Sequence, residues 1–128
     1  MLCVDTTFCV ELSKGEPAAI TRAKKLDAQR ERLAVPAPFL TGFLIGGFAK
    51  GGHRLKSALD LNSRTEVLPV NGAIALEAAR LAGQAIQDGR PIGTLDLLIA
   101  ATARVHHVPI IMRDRDFSAV PGLTIETY

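Results

Sequence analysis

The chain has 128 residues, of which 48% are apolar and 22% charged, an ordinary globular balance that excludes a disordered chain. Its net charge of +2 is too small to indicate nucleic-acid binding by itself, and the absence of Trp argues against a base-stacking platform for single strands. We predict a single domain over residues 1–128 that needs no disulfide or structural metal to fold.

The positions of the cysteines and the length of the apolar runs predict the cellular compartment. Cys3 and Cys9 lie in apolar runs and form no CxxC pair or Cys/His cluster, so we expect two small buried side chains, as suits a reducing cytosol. The chain has no apolar run of about eighteen residues, and its start does not resemble a signal peptide. We therefore expect a cytoplasmic protein without a membrane-spanning helix.

Strands and helices alternate along the chain. Leu2 to Val4 is apolar on both faces, which is typical of a buried strand, and Thr6 or Thr7 is expected to cap the helix that follows. Asn71 and Thr94 are the expected N-caps of two later helices. In chain order we predict a strand at 2–4, helices at 6–13 and 18–32, a strand at 33–35, a glycine-weakened helix at 39–61, a strand at 65–70, helices at 72–88 and 94–107, and strands at 109–112 and 123–126. This order predicts an α/β protein with three α/β/α layers and a central parallel sheet of four to five strands.

Acidic residues fall at the carboxyl ends of the predicted strands. Asp5 ends the first strand, Asp114 follows the fourth with Asp116 two residues on, and Asp96 opens the helix between them. Ligands of an open parallel sheet bind outside this edge. Like charges about 4 Å apart repel by about 4 kcal/mol at an effective dielectric constant of about 20, so such a cluster persists when a cation neutralises it or some members stay protonated. Carboxylate ligands favour Mg²⁺ or Mn²⁺, and a metal so held can activate water for phosphodiester hydrolysis.

Each acid also has a purely structural explanation. Asp96 suits the dipole at a helix N-terminus, and Asp5 could be a loop acid beside a helix start. The two acids after the fourth strand could be solvated beside Arg113 and Arg115. The metal hypothesis depends on the fold bringing all of them to one rim.

At these residues the chain resembles a PIN-domain protein, specifically a VapC-type toxin of a prokaryotic toxin–antitoxin pair. The resemblance covers essentially the whole chain and is most specific in LCVDTTF, in GRPIGTLDLLIAATARVHHVPIIMRDRDF and in the closing strand. In the family pattern an Asp ends the first strand, matching Asp5, and Gly-x-x-Asp opens the late helix, matching Gly93 and Asp96. A Thr-x-Asp or Thr-x-Asn segment, then an acidic or His residue and Phe, follows the fourth strand, where this chain has Met112 to Phe117.

The resemblance implies a metal-dependent endoribonuclease toxin with a PIN-like fold. Its metal ligands would be Asp5, Asp96 and Asp114, with Asp116 a weaker candidate. Thr6 would either hydrogen-bond a ligand carboxylate or simply cap its helix. The resemblance also implies Mg²⁺ or Mn²⁺ as cofactor, RNA as substrate, a cognate VapB-type antitoxin as partner, and a homodimer.

Two positions depart from the family pattern. Met112 stands where the family usually has a Thr whose hydroxyl would help to orient the site. Gly42 stands where the family has a Glu, in the frame that runs from Thr41 to Gly46. We hypothesise that one carboxylate is therefore missing and the toxic activity attenuated. The alternative is a catalytically silent PIN module that binds its antitoxin or RNA without cleaving.

Other polar residues carry weaker signals. Arg113 and Arg115 are candidate RNA contacts, as is the second basic group Lys50, Arg54 and Lys56, although a solvated surface explains both groups. No histidine has metal-ligand spacing to the acids. A doubly wound phosphatase would need an Asp two residues after the first strand-end Asp, where this chain has Thr, and a receiver would need a Lys after its last strands, where this chain has none.

Overall fold

Parallel strands form the centre of the structure. The computed structural model describes residues 1–113, 117–118 and 120–128, and within them the sheet has five strands. They are β1 (Leu2–Val4), β2 (Leu33–Pro36), β3 (Glu66–Leu68), β4 (Ile110–Ile111) and β5 (Ile125–Glu126). Their order is β3-β2-β1-β4-β5, and every neighbouring pair is parallel. The predicted central parallel sheet is confirmed.

Helices flank this sheet and complete the predicted α/β/α architecture. They are α1 (Thr6–Ser13), α2 (Pro17–Ala28), α3 (Ala37–Lys50), α4 (Gly52–Arg64), α5 (Gly72–Gln87) and α6 (Thr94–Val105). In the described part of the chain, no helix is both long and apolar enough to cross a membrane.

The two central strands are buried, as their apolar sequences predict. Cys3 of β1 pairs with Ala34 of β2 on one side and with Ile110 of β4 on the other. Cys3 is fully buried and Cys9 half-buried. Burial raises the pKa of both thiols to about 12, so they are inert apolar side chains at neutral pH.

The prediction of one helix over residues 39–61 is wrong, because α3 and α4 are separate helices. The chain breaks at Gly51 and Gly52, whose φ angles of +66° and +53° lie in the left-handed region that favours glycine. A Cβ atom on Gly47 would lie 3.1 Å from Ala58 Cβ and 3.3 Å from Leu55 Cα. The glycines of this segment therefore permit a close crossing of two helices, besides weakening one.

Helix capping agrees with the sequence at one of three places. The side chain of Asn71 caps α5 by accepting a hydrogen bond from the Ile74 N–H at 3.0 Å. Thr6 and Thr94 are instead the first residues of α1 and α6, whose N-caps are Asp5 and Gly93. The prediction that threonines cap these two helices is wrong, and in α1 an acid takes that role.

Candidate metal centre at the carboxyl edge of the sheet

The strand order reverses between β1 and β4, which makes the carboxyl ends of these strands the expected ligand crevice. Val4 pairs with Ile111, so Asp5, the next residue of the first segment, lies level with Met112 of the second. The chain then continues to Arg113. Asp114, Arg115 and Asp116 follow it in the sequence and lie outside the described residues. The register therefore brings Asp5 beside the segment that leads to the second predicted acid.

Asp5 is a buried carboxylate, with 8% of its surface exposed. It is the N-cap of α1 and accepts a hydrogen bond from the Thr7 N–H at 3.4 Å. Its charge adds to burial in raising the pKa of Cys9. A carboxylate has about four acceptor sites, so capping is compatible with binding a metal through another oxygen lone pair.

Asp96 is exposed in the first turn of α6. A Cβ atom on Gly93 would lie 3.6 Å from Asp96 Oδ2, so this carboxylate is folded back over the start of its helix. The helix dipole favours a negative charge there. Because α6 leads directly into the parallel strand β4, its N-terminus lies at the same edge of the sheet as Asp5.

Gly42 adjoins the same helix start. A Cβ atom at this position would lie 3.7 Å from Leu95 Cδ2, an ordinary van der Waals contact with the residue before Asp96. Gly42 is exposed within α3 and has no positive φ angle. The backbone therefore accepts a side chain here, and a longer one would extend beside the first turn of α6.

The described residues by themselves do not complete a metal site. Among them, no three His, Cys, Asp or Glu side chains gather closely enough to hold a metal ion. Two hard oxygen donors, Asp5 and Asp96, lie at the predicted edge, and the acids that follow Arg113 lie outside the described residues. This donor chemistry fits Mg²⁺ or Mn²⁺ and does not fit a thiolate or imidazole site.

The sequence did not predict a cluster of side chains that lies beside this edge. It is the Arg113 clamp, formed by Arg113, Glu11, Tyr128 and Phe8. Tyr128 donates a hydrogen bond from its hydroxyl to Glu11, and burial followed by this bond raises the pKa of the phenol. The topology could have indicated Tyr128, because it follows β5 and therefore emerges at the carboxyl edge.

The chain is similar to known proteins over most of its length. The PIN domain model matches residues 2–123. Ribonuclease VapC11 of Mycobacterium tuberculosis is 30% identical over 97% of this chain and 94% of its own length. The chain belongs to the VapC group of PIN domains. The tRNA(fMet)-specific endonuclease VapC of Shigella flexneri is 24% identical over 98% of this chain and 96% of that protein.

The solved structures agree with a VapC-type PIN fold. VapBC2 from Rickettsia felis, bound to a DNA fragment from its promoter, superposes with a TM-score of 0.81. At 23% identity it covers 99% of this chain and 98% of that one. At the two positions singled out in the sequence, Gly42 carries no carboxylate and the Met112 side chain is wholly buried.

Proposed function

We propose that this PIN domain, a single unit over residues 1–128, is a metal-dependent endoribonuclease toxin with an attenuated site. The observation that carries the proposal is the register of β1 and β4, which aligns Asp5 with the segment leading to Asp114 at the point where the strand order reverses. The relatives support it, because VapC11 is a ribonuclease and the Shigella flexneri VapC is an endonuclease specific for tRNA(fMet).

The metal would be held by Asp5, Asp96 and Asp114, with Asp116, two residues after Asp114 in the sequence, as a weaker candidate. Oxygen ligands of this kind suit Mg²⁺ or Mn²⁺. When bound, such an ion lowers the pKa of a coordinated water and neutralises charge at the phosphate under attack. Asp5 has a second task, because it also caps α1 and so fixes its carboxylate relative to that helix.

Gly42 is the reason to propose attenuation. The position is exposed, adjoins the helix that carries Asp96, and has room for a side chain, yet it supplies no carboxylate. The same observation favours a second candidate function, a PIN module that binds its antitoxin or RNA without cleaving. The two functions differ in whether the chain as it stands hydrolyses RNA.

Binding partners are proposed from the family and from exposed apolar side chains on the surface. We propose a cognate VapB-type antitoxin and a homodimer in the cytoplasm. The Rickettsia felis VapBC2 structure supports the antitoxin. Large apolar side chains stand in solvent on α3 and α5, and patches of that kind are typically covered by partners. They are Ile45, Phe48, Leu76 and Ile86, each between 64% and 73% exposed.

Cleavage of RNA by matched variants at position 42 tests the proposal. Gly42→Glu should cleave RNA at least about tenfold faster than the unaltered chain in Mg²⁺ or Mn²⁺, which corresponds to about 1.4 kcal/mol in the barrier. Gly42→Gln has the same shape without the charge and should give no gain. A chelator, or Asp96→Asn in the Gly42→Glu background, should abolish cleavage.

Three outcomes decide between the functions. Cleavage by the unaltered chain that rises with Gly42→Glu supports an attenuated nuclease. Cleavage only by Gly42→Glu supports the silent module. Equal rates for the Glu and Gln variants, or cleavage that survives Asp96→Asn, contradict the proposed site.

A further inference from the structure

The Arg113 clamp lies beside the candidate metal centre and has no part in the proposed chemistry. The sequence makes Arg113 only a candidate RNA contact, and in the structure its guanidinium is engaged within the chain. Its Nε donates a hydrogen bond to the Tyr128 carbonyl oxygen at 3.1 Å, and its Nη1 lies 3.6 Å from Glu11 Oε2. Its Cζ stands 4.1 Å from the centre of the Tyr128 ring, a cation–π contact.

The clamp joins the two chain segments that carry predicted ligands. Glu11 belongs to α1, the helix that Asp5 caps, and Arg113 is the residue immediately before Asp114. These segments leave β1 and β4, which are neighbours in the sheet. The ion pair between Glu11 and Arg113 is therefore a direct link from one side of the crevice to the other.

Tyr128 gives the clamp a rigid support. The backbone ladder between β4 and β5 continues as far as the hydrogen bond from the Met112 N–H to the Glu126 carbonyl at 3.0 Å. The bond from Arg113 Nε to the backbone oxygen of Tyr128 adds one side-chain hydrogen bond beyond the end of this ladder. The ring is braced edge-on by Phe8, a buried residue of α1, with ring centres 5.0 Å apart.

We propose that Arg113 is a positioning residue for the metal centre, clamped by Glu11 and Tyr128 so that the chain leaving β4 is fixed against the helix that Asp5 caps. This inference rests on the proposed function, because it concerns a metal that Asp5 and Asp114 would share. A metal ligand must be held to within about 0.5 Å of its productive place by neighbouring contacts, and the clamp supplies such contacts one residue before Asp114.

Charge and position predict opposite effects of neutralising Arg113. A positive charge near a cation site weakens cation binding by repulsion, so loss of that charge alone would tighten it. A residue that contacts RNA would instead change the KM for RNA and leave metal affinity unaltered. The positioning role predicts weaker metal binding from Arg113→Gln, and also from Arg113→Lys, which keeps the charge but loses the planar fork.

Calorimetric titration of the full chain with Mn²⁺ tests the inference. We expect Arg113→Gln and Arg113→Lys to weaken Mn²⁺ binding at least about tenfold. Tyr128→Phe, which keeps the ring and the net charge, should weaken it less but in the same direction. Arg32→Lys is the matched control, since Arg32 is an exposed arginine paired with Glu66 at the opposite edge of the sheet, and should leave the affinity unchanged.

RNA kinetics in the Gly42→Glu background supply the second readout. The Arg113 variants should lower kcat while the KM for RNA changes less than about twofold. Unchanged or tighter Mn²⁺ binding by the Arg113 variants, or a raised KM alone, overturns the inference. If the unaltered chain binds no Mn²⁺, the inference and the proposed function fall together. If the unaltered chain binds Mn²⁺, and Asp5→Asn weakens this binding while the Arg113 variants do not, only the inference about Arg113 is contradicted.

Discussion

Asp5 has one observed role and a position that suits the proposed one. It caps α1, which is the structural explanation, and it stands at the carboxyl edge opposite the segment after β4, which the metal hypothesis requires. The sequence predicted that Asp5 ends the first strand but assigned the cap of the next helix to a threonine. Ser, Thr, Asp and Asn all cap helices, and the path of the backbone decides which of them is the N-cap.

Two substitutions at Asp5 separate these roles. Asp5→Asn keeps a good N-cap and should retain the unfolding free energy measured without metal, whereas Asp5→Ala should lose about 1 kcal/mol. Mn²⁺ should raise the unfolding free energy of the unaltered chain and of neither variant, since a ligand stabilises only the state that binds it. Urea unfolding with and without Mn²⁺ measures both effects. Equal losses in the Asn and Ala variants would exclude the capping role.

Helix α3 shows why one of its glycines is structural and another is not. The glycine-rich sequence predicted a weakened helix, but it did not predict the close crossing with α4, which depends on contacts with residues about ten positions later. Gly47 lies at that crossing and is buried, whereas Gly42 is exposed. The fold therefore does not require a glycine at position 42.

The same substitution at both glycines should have opposite effects. Gly42→Ala should raise the unfolding free energy by up to about 1 kcal/mol, because alanine favours the helix and meets only Leu95 at a normal distance. Gly47→Ala should lower it, because its methyl group would press on Ala58 and on the backbone of Leu55. Denaturant midpoints at constant m-value measure the difference. Stabilisation by both changes would contradict the packing argument.

At the scale of the whole molecule, alternation of apolar strands with amphipathic helices was enough to predict the parallel α/β/α fold. The strands predicted at 65–70 and 109–112 have only three and two residues in the structure. Residue propensity does not determine where the hydrogen-bonded pairing of neighbouring strands stops. The Arg113 clamp was not predicted: the topology could have placed Tyr128 at the carboxyl edge, but its bond to Glu11 joins residues 117 positions apart. The proposed role of Gly42, by contrast, comes from the sequence pattern and stays a prediction.

Long-range ion pairs also couple stability to pH. Glu77 of α5 accepts hydrogen bonds from Arg80 and from Arg104 of α6, and these partners, Arg80 first, lower the pKa of its carboxyl from its usual value. A lowered folded-state pKa gives stability that is present above the unfolded-state pKa and lost as the pH falls through the folded-state value. This link between α5 and α6 should therefore weaken in acid.

Glu77→Gln should lower the unfolding free energy at neutral pH by at most about 1 kcal/mol, since water and salt screen a partly exposed pair. The difference from the unaltered chain should shrink as the pH falls below 4.5. Asp60→Asn, which disrupts the exposed pair between Asp60 and Arg64, is the control and should change stability by less than about 0.5 kcal/mol. Urea unfolding at several pH values checks both, and a difference that grows in acid would contradict the sign.

A Mn²⁺ titration of the unaltered chain beside Asp5→Asn, Asp96→Asn and Asp114→Asn decides whether these three carboxylates hold one ion. We expect a single site per chain whose affinity falls at least about tenfold in each variant, while Asp27→Asn, on the outer helix α2, has no effect. Binding that is absent from the unaltered chain, or that survives in any of the three variants, would contradict it.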